Sequence, residues 1–259
     1  MAIKIHPTAI VDAKAQLHDG VEVGPYSIIG PQVSLAENCW VGNHVTLTGH
    51  TSIGKESKIY HYASIGEAPQ DKKYNNEDTL LIIGEHNTIR EYCTINTGTA
   101  QGTGKTVVGD NNWIMAYAHI AHDCVVGNNT ILANCVTLAG HVTVKDWVIL
   151  GGLSPVHQFT IIGEHAMIAG QTAVAQDIPP YIMASGYRAE PKGINVEGLK
   201  RRGFNSAQIE NIKLAYKMLY RNGLSYSEAK TFICEMAREH KELELFVTFF
   251  EQSTRGVIR

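Results

Sequence analysis

From Ile5 to Val174 an aliphatic residue returns at every sixth position, and the series is broken only twice. Ile5, Val11, Leu17 and Val23 begin the first run, which holds to Ile65. Ile83, Ile89 and Ile95 form a second run, and Val108 to Val174 a third, 26 hexads in all. A strand repeats every two residues and a helix every 3.6, so neither alone produces a period of six. One short strand plus one corner does, if the chain winds as a narrow prism with every sixth side chain facing its axis. The residue four places on is mostly small, as at Ala9, Ser27, Cys39, Ala63, Cys93, Ala118, Cys124 and Ser154. Two large side chains cannot share one corner of such a prism. Glycine often follows the aliphatic residue, as at Gly24, Gly54, Gly84, Gly109 and Gly163, which predicts corners that need its conformational freedom. Three hexads per coil, at ~4.8 Å per coil, make roughly nine coils. The expected fold is mainly β, a parallel β-helix over residues 1–180.

Residues 71–82 and 101–107 break the register. They are polar and rich in turn formers, and so predict protruding loops of the kind that carry function on a rigid scaffold. The repeat stops near Pro179-Pro180. Residues 181–204 read as an irregular basic connector holding Arg188, Lys192, Lys200, Arg201 and Arg202. Helical spacing follows. Asn205 is a capping residue, Ile209, Ile212, Tyr216 and Leu219 line one face, and Gly223 ends the segment. Ser225 to Glu228 is a capping box, leading into Ala229, Phe232, Ile233, Met236 and Ala237. A third helix is expected near 242–252, with Leu243, Phe246, Val247 and Phe250. Residues 181–259 thus predict a connector and a small α-helical domain.

A formal net charge of −3 over 259 residues gives no basic field to recruit nucleic acid or a membrane surface. No apolar run approaches the ~18 residues of a membrane span. The chain enters its repeat at residue 5, which leaves no room for a signal peptide. Of five cysteines, Cys39, Cys93 and Cys124 take the small inward position, and no Cys-x-x-Cys occurs. That usage points to core packing in a reducing cytoplasm.

The unbroken register from Val108 to Val174 stacks residues 18 apart in columns. His122, Gly140 and Gln158 form one column. His141 lies above Asp123, His157 one residue before Gln158, and His119 half a hexad before His122. Four histidines, a glutamine and a glycine are therefore expected to converge. His6, His18, His44, His50, His61 and His165 fall outside this patch. Histidine titrates near pH ~6.5 and serves as a general base on a hydroxyl when a carboxylate orients it. Asp123 follows His122 directly, and neighbouring side chains diverge in a strand, so this pair requires a corner. Gly140 would offer an unobstructed backbone N–H to an oxyanion. Two other readings use the same residues. His119 and His122 with His141 or His157 would bind zinc and leave a water site. A scaffold without catalysis would leave the histidines incidental.

Several segments resemble the UDP-N-acetylglucosamine O-acyltransferase family of lipid A synthesis. They are GEAPQDKKY (66–74), AHIAHDC (118–124), LAGHV (138–142), VHQF (156–159), AQDIPPY (175–181), INVEGLKRRGF (194–204) and STRGVIR (253–259). They run through the whole chain in family order. The resemblance implies a left-handed β-helix and a homotrimer with sites between subunits. It implies transfer of an (R)-3-hydroxyacyl group from acyl carrier protein to the 3-hydroxyl of UDP-N-acetylglucosamine, with no metal and no cofactor. His122 matches the base, Asp123 its orienting carboxylate and Gly140 the oxyanion N–H. His119, His141, His157 and Gln158 match the channel lining, and Gly170 a position that sets acyl length. Asp71 and Lys73 match residues reaching the sugar from a neighbouring subunit. Asn195, Glu197, Arg201 and Arg202 match the nucleotide end, where arginine forks suit pyrophosphate. Lys200, Arg201 and Arg202 form a basic surface suited to an acidic carrier protein.

The chain departs from the family in three places. Asn96-Thr97 stand where the family often has His-Arg. Arg188 replaces a common histidine near the pyrophosphate, and Pro155 precedes VHQF. These departures leave open a 3-amino sugar acceptor. A zinc carbonic-anhydrase-like β-helix shares the hexads but has no use for Asn195, Glu197 and Arg201.

Overall fold

The computed structural model describes residues 2–259 and shows a three-sided parallel β-helix followed by helices. Its sides are three sheets of 11, 8 and 8 strands, parallel throughout except for the last edge strand of the first. Most strands are two residues long, and one strand from each hexad enters each sheet in turn, so Lys4 pairs with Glu22 and Ile5 with Val23. One eight-stranded sheet runs from Ile10–Val11 to Pro155–Val156 and carries His119; we call it the histidine sheet. The other runs from Gln16–Leu17 to Ile161–Ile162 and carries both loops; we call it the loop sheet. The hexad aliphatics fill the axis, and Leu35, Leu47, Ile59, Ile65, Ile120, Leu132 and Ile168 have no accessible surface.

The glycines that follow the aliphatics do a different job from the one expected. Gly24, Gly54, Gly84, Gly109 and Gly163 do not have positive φ. Two residues later stand the left-handed corners, filled by side-chain-bearing residues such as Tyr26, Glu56, His86, Asn111 and His165. The glycines are needed for stacking. A Cβ on Gly54 would lie 2.5 Å from the Gly84 carbonyl carbon one coil on, and one on Gly109 would lie 2.7 Å from the Gly127 oxygen. Cys39, Cys93 and Cys124 are buried as expected, and burial pushes their thiols up to about 11, 12 and 12.

The register breaks are true insertions, with boundaries shifted from those predicted. Residues 80–82 and 105–107 are strand, not loop: Leu80–Ile83 pairs with His50–Ile53 on one side and Lys105–Val108 on the other. The excursions therefore occupy 68–79 and 97–104. Leu81 and Thr106 are fully buried, an alternation of the strand type that the polar composition of both segments masked.

The connector is more regular than predicted. Ile182–Ser185 extends the eleven-stranded sheet in parallel, and Glu190–Ile194 turns back antiparallel as its edge. A short helix α1 (Val196–Arg201) follows, capped by the Asn195 side chain accepting from the Gly198 N–H. Helix α2 (Ser206–Tyr220) has the predicted Asn205 cap and buries Ile209, Ile212, Tyr216 and Leu219. Helix α3 (Tyr226–Met236) has the predicted Ser225–Glu228 capping box, although Phe232 faces out. A 3-10 turn, Lys241–Leu243, leads into α4 (Glu244–Gln252), which buries Phe246, Phe249 and Phe250. None of these helices is long and apolar enough to cross a membrane.

One continuous core joins prism and helices, running through Ile178, Tyr181, Leu199, Ile212 and Phe246. The Asp177 carboxylate, fully buried, accepts from the Ile161 N–H, the Ser253 hydroxyl and the Arg255 N–H. That clasp accounts physically for AQDIPPY and STRGVIR: one segment holds the other.

Candidate active site

The corner between the histidine sheet and the loop sheet gathers the predicted centre. His119–Ile120 enters it from one side and Val125–Val126 leaves on the other. Asp123, His141 and Phe159 are its left-handed residues, with φ of 59°, 63° and 65°. This backbone turn is what lets consecutive side chains meet. His122 Nδ1 lies 2.9 Å from Asp123 Oδ2. The His141 N–H donates to the His122 carbonyl, and the His141 ring stands perpendicular to that of His122 at 5.1 Å. Phe159 stacks on the His141 ring at 4.4 Å.

Asp123 is 3% exposed and is surrounded by donors. Its carboxylate accepts from the Thr99 N–H and hydroxyl and from the Thr103 N–H and hydroxyl, besides His122. Burial pushes its pKa up, but hydrogen bonds from Thr99, His122 and Thr103 prevail and hold it below the usual carboxylate value. Burial is the chief cause that holds His141 below the ordinary histidine value, and His122 acts the same way, against the pull of Asp123 and Asp71. Asp71, half-buried on the first loop, contributes the smallest part of that pull.

Gly140 sits directly against the His122 ring. A Cβ there would lie 2.5 Å from His122 Cε1 and 2.6 Å from Nε2. Its flanking residues are engaged along the coil, Ala139 donating to Val156 and His141 to His122. At comparable corner positions the N–H is claimed by a side chain one coil on. Asn43 donates to His61, Glu85 to Asp110, Asp110 to Asn128 and Asn128 to Asp146. The residue one coil beyond Gly140 is Gln158, whose side chain makes no such bond among the described residues, so the Gly140 N–H stays open.

The other predicted residues divide. His119 Nδ1 lies 2.7 Å from the Thr94 hydroxyl on the histidine sheet, and burial lowers its pKa. His157 and Gln158 are exposed above the corner, with His157 Nδ1 against the Gln158 carbonyl at 3.1 Å. Lys73 is exposed beside Asp71 on the first loop, its N–H on the Asp71 carboxylate. Gly170 is exposed next to Gly152 at the corner between the histidine sheet and the eleven-stranded sheet.

Asn195, Glu197, Arg201 and Arg202 lie at the third corner, away from His122. Asn195 is 6% exposed, and its amide accepts from the Gly198 N–H and donates to the His165 carbonyl. Glu197 pairs with Lys200 at 3.0 Å. The Arg202 guanidinium covers Trp147 and donates to His165 Nδ1 at 3.3 Å, and its burial lowers its pKa. Of the basic surface expected from Lys200, Arg201 and Arg202, Lys200 and Arg202 are engaged in these contacts and Arg201 is exposed. Arg188 is exposed in the turn between Ile182–Ser185 and Glu190–Ile194. Asn96 is buried and donates to the Glu67 and Ala68 carbonyls, so this departure roots the first loop. Pro155 is exposed on the histidine sheet.

The three-histidine zinc set does not assemble. Among the described residues the one cluster with metal-like spacing is His122, Asp123 and His141. Its carboxylate is already filled by four donors from the loop, which suits an orienting group better than a ligand. Thr99 and Thr103 were missed by sequence reasoning; the interrupted register at 101–107 marked the loop, but not where it folds.

Two family profiles match. One, described as UDP N-acetylglucosamine O-acyltransferase domain 2, covers residues 177–258, and one, bacterial transferase hexapeptide (six repeats), covers 105–140. The acyl-[acyl-carrier-protein]–UDP-N-acetylglucosamine O-acyltransferases of Herminiimonas arsenicoxydans and Janthinobacterium sp. (strain Marseille) are 56% and 58% identical, each over 98% of this chain and 99% of their own. The solved UDP-N-acetylglucosamine acyltransferase from Campylobacter jejuni superposes with a TM-score of 0.92 at 40% identity, over 98% of this chain and 99% of that one. The prism is accordingly the left-handed form of the parallel β-helix.

Proposed function

This chain belongs to the acyl-[acyl-carrier-protein]–UDP-N-acetylglucosamine O-acyltransferase family of lipid A synthesis, and from that premise we propose how its own residues carry the acyl transfer. His122 is the general base. Its Nδ1–H donates to Asp123, which leaves the Nε2 lone pair facing the open space beside Gly140. The 3-hydroxyl of UDP-N-acetylglucosamine loses its proton to Nε2 as its oxygen attacks the thioester carbon of a 3-hydroxyacyl carrier protein. The C–O bond forms, and the oxyanion accepts from the Gly140 N–H. Collapse breaks the C–S bond, and the leaving thiolate takes the proton from His122. Asp123 stays ionised throughout and stabilises the imidazolium. The observation that carries this reading is the 2.9 Å His122–Asp123 contact with Nε2 set against Gly140.

The same proposal assigns His119, His141, His157 and Gln158 to the sugar and acyl channel, with Asp71 and Lys73 above it. Asn195, Glu197 and Arg201 bind the nucleotide end, Arg202 and Arg188 beside them, and Gly170 bounds the acyl chain. Because those nucleotide residues occupy a different corner from His122, the site is completed by a second copy of the chain, as in a homotrimer. An exposed ladder of near-parallel rings supports self-association. Tyr26, His44, Tyr62, Tyr92 and Tyr117 stack at 4.9–5.1 Å along the corner between the eleven-stranded sheet and the histidine sheet. We place the reaction in the cytoplasm, a reading that the carrier-protein donor and the five free cysteines support.

The test is an acyl-transfer assay with UDP-N-acetylglucosamine and 3-hydroxyacyl carrier proteins of several lengths, with and without chelator. Chelator-insensitive 3-O-acyl product is expected, and His122→Ala lowers kcat by ~10²–10⁴-fold with its far-UV spectrum unchanged. Ordinary turnover by His122→Ala overturns the assignment of the base, and product formed only on a 3-amino sugar overturns the acceptor.

A further inference from the structure

We infer that the second loop is a clamp on the catalytic pair, in which Thr99 and Thr103 are positioning residues that hold the Asp123 carboxylate, and through it the His122 ring. The inference rests on the reading of His122 as the base. Asp123 has no Lys or Arg in ion-pair range among the described residues; the imidazoles beside it are His122 and, at 3.9 Å, His141. An ionised carboxylate buried this deeply needs donors, and the loop supplies them. Thr99 contributes its hydroxyl at 2.7 Å to Oδ2 and its N–H at 3.1 Å to the same oxygen. Thr103 contributes its N–H at 2.9 Å to Oδ1, while its hydroxyl shares one proton between Oδ1 at 3.2 Å and the Lys105 carbonyl at 2.9 Å. Bonds on both oxygens fix the plane of the carboxylate, and so the direction in which Oδ2 meets His122 Nδ1.

The loop is shaped for this task. Its N–H groups at Gly102 and Gly104 donate back to the Thr99 carbonyl, and the Gly98 N–H and Gly104 carbonyl tie it to Leu80. Gly102 lies on the carboxylate so closely that a Cβ would stand 2.5 Å from both of its oxygens. Only glycine lets the loop close there. Both hydroxyls are turned to the Asp123 carboxylate, so their effect on chemistry passes through Asp123.

Thr99→Val and Thr103→Val each remove one hydroxyl and retain shape, and Thr99→Ser restores the hydroxyl alone. The expected result for Thr99→Val is a ~10-fold fall in kcat, with KM for UDP-N-acetylglucosamine within about two-fold and recovery in Thr99→Ser. In an Asp123→Ala background the same Thr99→Val change costs nothing further, because the group it positions is gone. Thr103→Val is an independent second probe that leaves both Thr99 contacts in place. Wild-type kcat in both valine variants overturns the inference. So does a loss confined to KM, or one that persists in full without Asp123. If His122→Ala is inactive while the valine variants work normally, the clamp fails alone; if His122→Ala works normally, the underlying reading fails.

Discussion

His122 and Asp123 are neighbours in sequence that a flat strand would send to opposite faces, and a left-handed corner at Asp123 brings them within 2.9 Å. The sequence carried this pair because residues 18 apart must stack, and the column His122, Gly140, Gln158 followed from counting. It could not show that the glycine leaves room for the imidazole. Gly140→Ala tests that room. The new methyl group, 2.5 Å from Cε1 in the present geometry, displaces the ring while the backbone N–H remains. We expect kcat to fall by ~10²-fold in steady-state acyl transfer, since a displacement of about 1 Å at a reacting group has that order of effect. Unchanged kcat would mean that the ring position is not critical. Asn195 carries a duty that the sequence did not show: its amide caps α1 and holds the His165 carbonyl, which is visible only once that helix is known.

The helices and the prism meet at a stack of rings. His165 lies parallel to Trp147 on one side and Tyr181 on the other, edge-on to Phe204, with Arg202 donating to its Nδ1. Burial first, and then Arg202, lower its pKa from 6.5 to about 4, against the opposing charge of Asp146. Above pH 6.5 the ring is neutral in folded and unfolded chains alike. Between 6.5 and about 4 the unfolded chain binds a proton that the folded one refuses, so stability falls as the pH falls through that window. The loss amounts to ~3 kcal/mol at its limit. Melting temperature measured from pH 7 to 4.5 should drop more steeply in the wild type than in His165→Phe, which keeps a ring but cannot titrate. Parallel curves would show that this histidine does not couple protonation to folding. The sequence left His165 outside the histidine patch, and the structure sets it at another corner, against Asn195 and Arg202; its structural role depended on Phe204 and Arg202, brought in by a connector that read as irregular.

The molecule as a whole sets His122 on one corner and Arg201 with Glu197 on another, so one chain does not surround a nucleotide sugar with all of its candidate residues. Subunit mixing tests the consequence. His122→Ala and Arg201→Ala chains, each weakly active alone, should regain activity when unfolded and refolded together, with roughly a quarter of sites intact in a random cyclic assembly. No recovery on mixing would mean that each chain builds its own complete site.

The hexad sequence alone determined a prism, its coil length of 18, the inward aliphatics and the stacked columns. Those follow from the requirement that each sixth side chain be buried, a local rule repeated until no alternative register survives. The capping residues of α2 and α3 were equally local and equally legible. What only the tertiary structure decided lay where distant segments meet without a repeat to relate them. The loop at 97–104 closes on Asp123, the C-terminal segment is clasped by Asp177, and Arg202 turns inward onto Trp147 and His165. In each case the partner is chosen by burial of a charge or a ring among groups many residues away. No period in the sequence encodes that choice.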